Sequence, residues 1–227
     1  VKDRFGEEQC SALKTVAKVV VFCQPWPVSS KFFPLSTFNK MTDMFPILRS
    51  ERLLLRQFTA NDLERVFKGL SHPEVIRYYG VEYADLESTQ VQMDWFAELE
   101  RTGTGIWWAV CSPDNAVFFG AGGLNNLNKT HRKAEVGFWL MPEYWGRGIM
   151  PEAMSLICDF GFADLGLHRI EAQVETENIS CKNALAKLRF QHEGTMRDCE
   201  IKHGKFVSLD LYAKLSNDAE LVSKTNR

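Results

Sequence analysis

The stretch "AEVGFWLMPEYWGRGIMPEA", residues 134–153, constrains this chain more than any other. An apolar run of strand character ends at Met141. A proline-led turn follows, and Gly146 and Gly148 flank Arg147 just before a helix-forming segment. Glycine loses more conformational entropy on ordering than any other residue, so a strand–Gly–x–Gly–helix junction points to close backbone approach to something. The junction offers the N–H groups of Gly146, Arg147, Gly148, Ile149 and Met150 at the mouth of the next helix. First-turn N–H groups lack internal partners and the helix dipole adds partial positive charge, so the cluster suits an anion. Arg147 supplies a full charge beside it. A plain glycine turn leading into a proline-started helix accounts for the same residues.

Two phosphate-binding signatures do not fit. The dinucleotide fingerprint G-x-G-x-x-G needs glycine where this chain has Pro151, and the elements do not repeat as two β-α-β-α-β halves. The P-loop pattern G-x-x-x-x-G-K-[ST] is missing. With 227 residues and 45% hydrophobic content the chain can fill a sizeable core. A net charge of −2 gives no general footprint for nucleic acid or an anionic membrane, so neither is an expected partner. No apolar run approaches the ~20 residues of a membrane span. Cys10, Cys23, Cys111, Cys158, Cys181 and Cys199 are scattered without a C-x-x-C pair, which fits a reducing, cytoplasmic setting. The histidines show no ligand spacing, and no metal is expected.

Residues 1–45 read differently from the rest. "CQPWPVSSKFFPLSTFNK" mixes proline, serine and aromatics without a period, and the segment is expected to be an extension outside the core. Its apolar run Val16–Cys23 is short for a signal peptide and lacks an A-x-A-like site, and it reads equally as a strand. Met41 and Met44 lie just before the patterned region. From Pro46 the signals become regular. "RLLLRQF" reads as a strand, and "TANDLERVFKGL" as a helix capped by Thr59 with Asp62 three residues on. "HPEVIRYY" is a short helix with Pro73 in its first turn. "STQVQMDWFAELER" carries a helical apolar stripe. Strands "IWWAVC" and "AVFFGAGGL" flank the turn "SPDN", and "AEVGFWLM" follows as a fourth strand. "PEAMSLICDFGFADLG" reads as a helix, "HRIEAQVE" as a strand, "SCKNALAKLRF" as a helix, and "KHGKF" as the tip of a closing hairpin. The order predicts an α/β (α+β) domain over residues 46–216, with residues 217–227 as a tail. Its core is a mixed, mostly antiparallel sheet of about seven strands with helices on both faces.

Beyond these signals, "WLMPEYWGRGIMPEA" resembles the coenzyme-binding motif of the GNAT acetyltransferases, R/Q-x-x-G-x-G/A between a strand and a helix. "RSERLLLRQFTANDLERV" looks like the family's opening strand and helix. "RIEAQVETENISCKNALAKLRFQHEGTMRD" is similar to the second half of the coenzyme site, and "GKFVSLDLYAKL" looks like the closing strand of the branch containing ribosomal-protein N-terminal acetyltransferases. The resemblance covers residues 46–215. It implies an N-acetyltransferase that moves acetyl from acetyl-CoA to a primary amine by direct attack in a ternary complex, as a monomer or homodimer. A protein N-terminal α-amine is the leading acceptor. The alternatives are a small polyamine, amino-acid-like or drug amine, or a silent acyl-CoA-binding module.

The resemblance also assigns residues. Phe138, Trp139, Leu140 and Met141 line the pantetheine arm, on a strand expected to splay from its neighbour, with the Leu140 N–H facing the thioester carbonyl. Gly146, Arg147, Gly148, Ile149 and Met150 hold the diphosphate. Three departures stand out: Trp145 replaces the usual Arg/Gln, Met150 a small residue, and Pro151 a common threonine. Proline removes one N–H, so the cradle is expected to have one hydrogen bond fewer. Asn178 matches the asparagine that opens the last long helix and bonds the arm, a position an ordinary N-cap Asn also occupies. Cys181 falls where relatives place a proton donor near the coenzyme sulfur, although buried cysteines are commonly inert. Glu200 matches a general-base position, with Glu135 as its competitor. Glu171 reads better as an ion-pair partner, and Tyr212 as core. Trp95, Trp107, Trp108 and Trp139 fit either an acceptor wall or the core.

Overall fold

Period-two apolar alternation builds one sheet across the described residues, 44–218 of a computed structural model. The expectations for residues 1–43 and for the tail from residue 219 lie outside the described residues. The strands are β1 (Leu48–Arg49), β2 (Leu54–Arg56), β3 (Ile106–Cys111), β4 (Phe118–Asn128), β5 (Lys133–Leu140), β6 (Arg169–Glu175), β7 (Gln191–Lys202) and β8 (Lys205–Leu215). They lie side by side in the order β1-β2-β3-β4-β5-β6-β8-β7. Only β5 and β6 run parallel, and every other neighbouring pair is antiparallel. The sheet therefore has eight strands where the sequence suggested about seven. The extra one, β1, is a two-residue pairing of Leu48 with Leu55 and Arg49 with Leu54, too short to carry a pattern.

The helices are α1 (Leu63–Leu70), α2 (Pro73–Ile76), α3 (Leu86–Thr102), α4 (Ile149–Ala163) and α5 (Ile179–Lys187). They cover both faces. On one, α4 and α5 pack Met154, Ile157, Cys158 and Leu185 against Trp108, Leu124, Val136, Leu140 and Ile170. On the other, α1 and α3 pack Val66, Leu70, Phe96 and Leu99 against Trp107, Ala121 and Trp139. No residue of β6 or β8 joins that second cluster, so α1 and α3 leave the same face of those strands outside their core. Trp107, Trp108 and Trp139 are thus core residues, and Trp95 meets Trp107 edge-on with ring centroids 5.5 Å apart.

Two of these rings depend on absent side chains. The Trp107 ring lies over Gly123 and Gly137, where an added Cβ would fall 2.4 and 2.8 Å from its atoms. The Trp139 ring occupies the space of a Cβ on Gly69 of α1. The indole N–H groups of both tryptophans are buried without an acceptor among the described residues.

The start of α1 is held by a buried ion pair rather than by its cap alone. Asp62 is fully buried. Its carboxylate accepts from Arg56 Nη1 at 2.7 Å and Nη2 at 2.8 Å, and from the Thr59 N–H at 2.8 Å. Burial pushes its pKa up, but the Arg56 and Thr59 bonds outweigh that and hold it below the usual carboxylate value. The pair therefore stabilises the fold above the unfolded-state pKa of ~3.9, and the contribution is lost as pH falls through the lower folded value. Asp62→Asn is expected to cost about 3 kcal/mol at neutral pH, because it leaves Arg56 facing a neutral amide in a buried site. Urea denaturation should show that cost vanishing as the pH is taken below ~3.9.

Candidate active site

The site is built around a ladder that stops. β5 and β6 pair through Lys133↔Arg169, Ala134↔Ile170 and Glu135↔Glu171, and no further. Both strands continue, β5 to Leu140 against β4 and β6 to Glu175 against β8. The strands part beyond Glu135, the splay that the resemblance implied. Hydrogen-bond direction alternates along an antiparallel ladder. The Met141 N–H donates to the Phe119 carbonyl on the β4 side at 2.9 Å. The backbone groups of Phe138 and Leu140 consequently face the other way, into the gap. Of the four residues expected to line it, Phe138 and Leu140 offer their N–H groups there. Trp139 and Met141 instead bond toward β4 and bury their side chains in the α1–α3 core.

At the end of β5 a short 3-10 turn, Pro142–Tyr144, leads into the glycines. Trp145 folds back so that its indole N–H donates to the Leu140 carbonyl at 3.0 Å. Gly146 and Gly148 adopt φ of 73° and 75°, the left-handed region that a Cβ disfavours. Helix α4 starts at Ile149, which places Pro151 third in the helix, in its first turn, with no N–H to give. Among the described residues nothing accepts from the N–H groups of Gly146, Arg147, Gly148, Ile149 or Met150. A Cβ on Gly146 would meet nothing within 4 Å, so the cradle is open. Its mouth has a second cation that the sequence reading missed. Arg52 donates through Nη1 to the Arg147 carbonyl at 3.3 Å and through Nε to Glu152 of α4 at 2.8 Å.

Across the gap stands the start of α5. The Asn178 side-chain oxygen accepts from the Cys181 N–H at 3.1 Å, an N-cap bond that leaves its amide NH2 available. Cys181 packs against the α4–α5 core, and burial pushes its thiol up to about 12. It stays protonated at neutral pH.

On the opposite face, Glu135, Glu171, Gln173 and Glu175 line up through the parallel register and strand alternation. Glu171 is engaged by Lys133 at 3.2 Å and Arg169 at 2.7 Å, the ion-pair role expected for it. Glu175 is bound by Lys202, whose Nζ also donates to the Arg77 carbonyl at 2.6 Å. Among the described residues Glu135 forms no ion pair, and Lys133 acts on it only through its more distant charge. Its hydrogen-bond donor there is Asn126 Nδ2, at 2.9 Å. Burial raises its pKa above the ordinary value, the Asn126 bond opposes this, and the charges of Glu171 and Glu200 add to the rise. Glu200 itself is exposed, on β7 beside a register shift between Met196 and Glu200. Tyr212 of β8 packs against the α4–α5 core rather than facing these carboxylates.

Residues 52–191 match the family described as "Acetyltransferase (GNAT) domain". The chain is a member of the GNAT acetyltransferase family. It is an acetyl-CoA-dependent N-acetyltransferase by that membership. It is similar to the uncharacterized N-acetyltransferase YoaA of Bacillus subtilis, 37% identical over 171 residues that cover 75% of this chain and 97% of YoaA. It is also similar to the uncharacterized N-acetyltransferase p20 of Bacillus licheniformis, at 30% over 75% of this chain and 97% of p20. Among solved structures, the ribosomal-protein-S5-alanine acetyltransferase of Vibrio fischeri superposes with a TM-score of 0.67 at 20% identity. That match covers 77% of this chain and 98% of the other.

Asn126 and Arg52 carried weak signals in this GNAT sequence. Asn126 follows the run "GAGGLN" and has φ 53°, a conformation asparagine tolerates better than most residues, at the register shift that turns it toward Glu135. Arg52 read as the first residue of a strand, whereas it sits in the turn between β1 and β2. The Asn126 contact is directly testable. Because its bond favours the charged carboxylate, Asn126→Ala should shift the Glu135 titration to higher pH. Carboxyl-carbon NMR of the variant and parent reads this, and a downward shift would contradict the geometry.

Proposed function

We propose that this GNAT enzyme acetylates a primary amine by direct attack within a ternary complex, and that its acceptor is an α-amine at a protein N-terminus. The observation that carries the reading is the parting of β5 from β6 directly before an open glycine cradle. It supports a coenzyme lying through the sheet, from the α4–α5 face toward the carboxylate face. Bound acetyl-CoA supplies the activated acyl group as a thioester. The N–H groups of Gly146, Arg147, Gly148, Ile149 and Met150 would hold the diphosphate, one fewer than a helix without Pro151 would provide. The arm would lie against the backbone of Phe138 and Leu140, with the Asn178 amide opposite. N–H groups aimed at a developing oxyanion contribute ~3 kcal/mol.

Glu135 is the base in this reading. It is half-buried, without an ion pair among the described residues, oriented by Asn126 and held above the ordinary carboxylate pKa. An α-ammonium has a pKa near ~8, whereas an alkylammonium such as a polyamine's lies near ~10.4. A carboxylate takes the first proton with a smaller mismatch, which favours the N-terminal α-amine over the polyamine alternative. Glu135 and the gap-facing N–H groups lie several residues apart along β5, so the proton travels to Glu135 through water. Exposed Glu200 raises the pKa of Glu135 rather than receiving the proton itself. Cys181 offers its Sγ–H as a hydrogen-bond donor near the sulfur, since a thiol at about 12 is too weak an acid to hand its proton over.

Mass spectrometry of a peptide and small-amine library incubated with the protein and acetyl-CoA tests the acceptor. Acetylated peptide N-termini are expected, while products confined to small amines would overturn that class, and none at all would favour the silent module. With the best acceptor, Glu135→Gln should lower kcat/KM by ~10²–10⁴ at neutral pH and recover partly at high pH, where solvent deprotonates the amine. Glu200→Gln should move the acid limb of the profile to lower pH and leave the plateau rate nearly intact. The reverse ranking would assign the base to Glu200.

A further inference from the structure

Resting on the coenzyme reading, we infer that Arg52 is a positioning residue for the diphosphate, a latch that aims the Gly148 N–H and neutralises Glu152. Arg52 comes from the β1–β2 turn, about a hundred residues before the cradle it touches. Its guanidinium engages Glu152 through both Nε and Nη2, and Nη1 holds the Arg147 carbonyl at 3.3 Å. Ser50 completes the clamp, its Oγ donating to the other Glu152 oxygen at 2.6 Å while it accepts the Leu53 N–H at 3.0 Å.

Two consequences follow from this geometry. A peptide unit is planar and trans, so its carbonyl and the next N–H point in opposite directions. Holding the Arg147 carbonyl back therefore turns the Gly148 N–H outward, in a turn whose glycines would otherwise sample many orientations. The second consequence is electrostatic. Glu152 lies in the first turn of α4, where its charge suits the helix dipole but opposes a bound diphosphate. The Ser50 and Arg52 bonds keep that carboxylate ionised against the cost of burial, and Arg52 cancels its charge toward the cradle. A cradle already lacking the Pro151 N–H depends more on the donors that remain.

Calorimetric titration of the full chain with coenzyme A and with dephospho-coenzyme A tests the latch, using the parent, Arg52→Ala, Arg52→Lys, and Arg52→Ala combined with Glu152→Gln. Arg52→Ala should weaken both ligands about tenfold, as expected for losing a charge-assisted contact. Removing the Glu152 charge in that background should restore part of the loss, and Arg52→Lys should fall between parent and Ala. A purely structural role would lower the melting temperature without any recovery from Glu152→Gln, and that result overturns the latch. A loss seen for coenzyme A but not for its dephospho form also overturns it, since the effect would then lie at the 3′-phosphate. Parent-like binding by Arg52→Ala overturns the latch alone, whereas failure of the parent to bind either ligand overturns the coenzyme reading beneath it.

Discussion

A β-ladder normally satisfies every backbone group along a shared edge, and an interior strand that abandons its partner leaves donors and acceptors without one. β5 does this beyond Glu135, while its other edge stays paired to β4 up to Met141. The cost is tolerable because packing holds the strands on both sides of the opening. α4 and α5 cover β5 and β6 from one face, and α1 and α3 cover β4 and β5 from the other. The opening thus lies between packed strands rather than at a frayed edge. The glycine turn, the start of α4 and the start of α5 all converge on it.

The same break divides the chemistry between the two faces. Residues of β5 with even numbers direct backbone groups into the gap and side chains toward α4, whereas Glu135 points to the opposite face with Gly137 and Trp139. In the proposed reading, a thioester held from one side and an amine held from the other meet through the gap. The second face is well furnished with carboxylates, but most are committed. Glu171 is tied to Lys133 and Arg169, and Glu175 to Lys202. Glu135 stands apart because among the described residues its bond comes from a neutral amide, so its ionisation responds to burial and to neighbouring charge.

Much of the frame was legible in order and period. The strands from "IWWAVC" to "HRIEAQVE" and the hairpin tip at "KHGKF" lie where their alternation and turn residues put them, since those signals act within a few residues. The splay followed from the family resemblance. Boundaries were less legible. β4 continues to Asn128 past its apolar run, because a register shift lets polar residues carry the ladder on, and α3 begins at Leu86 with Asp85 capping it, two residues before its apolar stripe suggested.

What the local sequence settled by itself is the strand–glycine–helix junction: Gly146 and Gly148 permit positive φ, and Pro151 sits in the first turn of the helix and withholds an N–H. Those are properties of single residues and their immediate neighbours. Tertiary structure alone decided which carboxylate lacks an ion pair among the described residues, that Trp107, Trp108 and Trp139 pack in the core, and that Arg52 and Ser50 reach across the chain to Glu152. Such contacts join residues about a hundred positions apart. Their pairing depends on how the sheet brings strand ends together, and no periodicity in the chain encodes it.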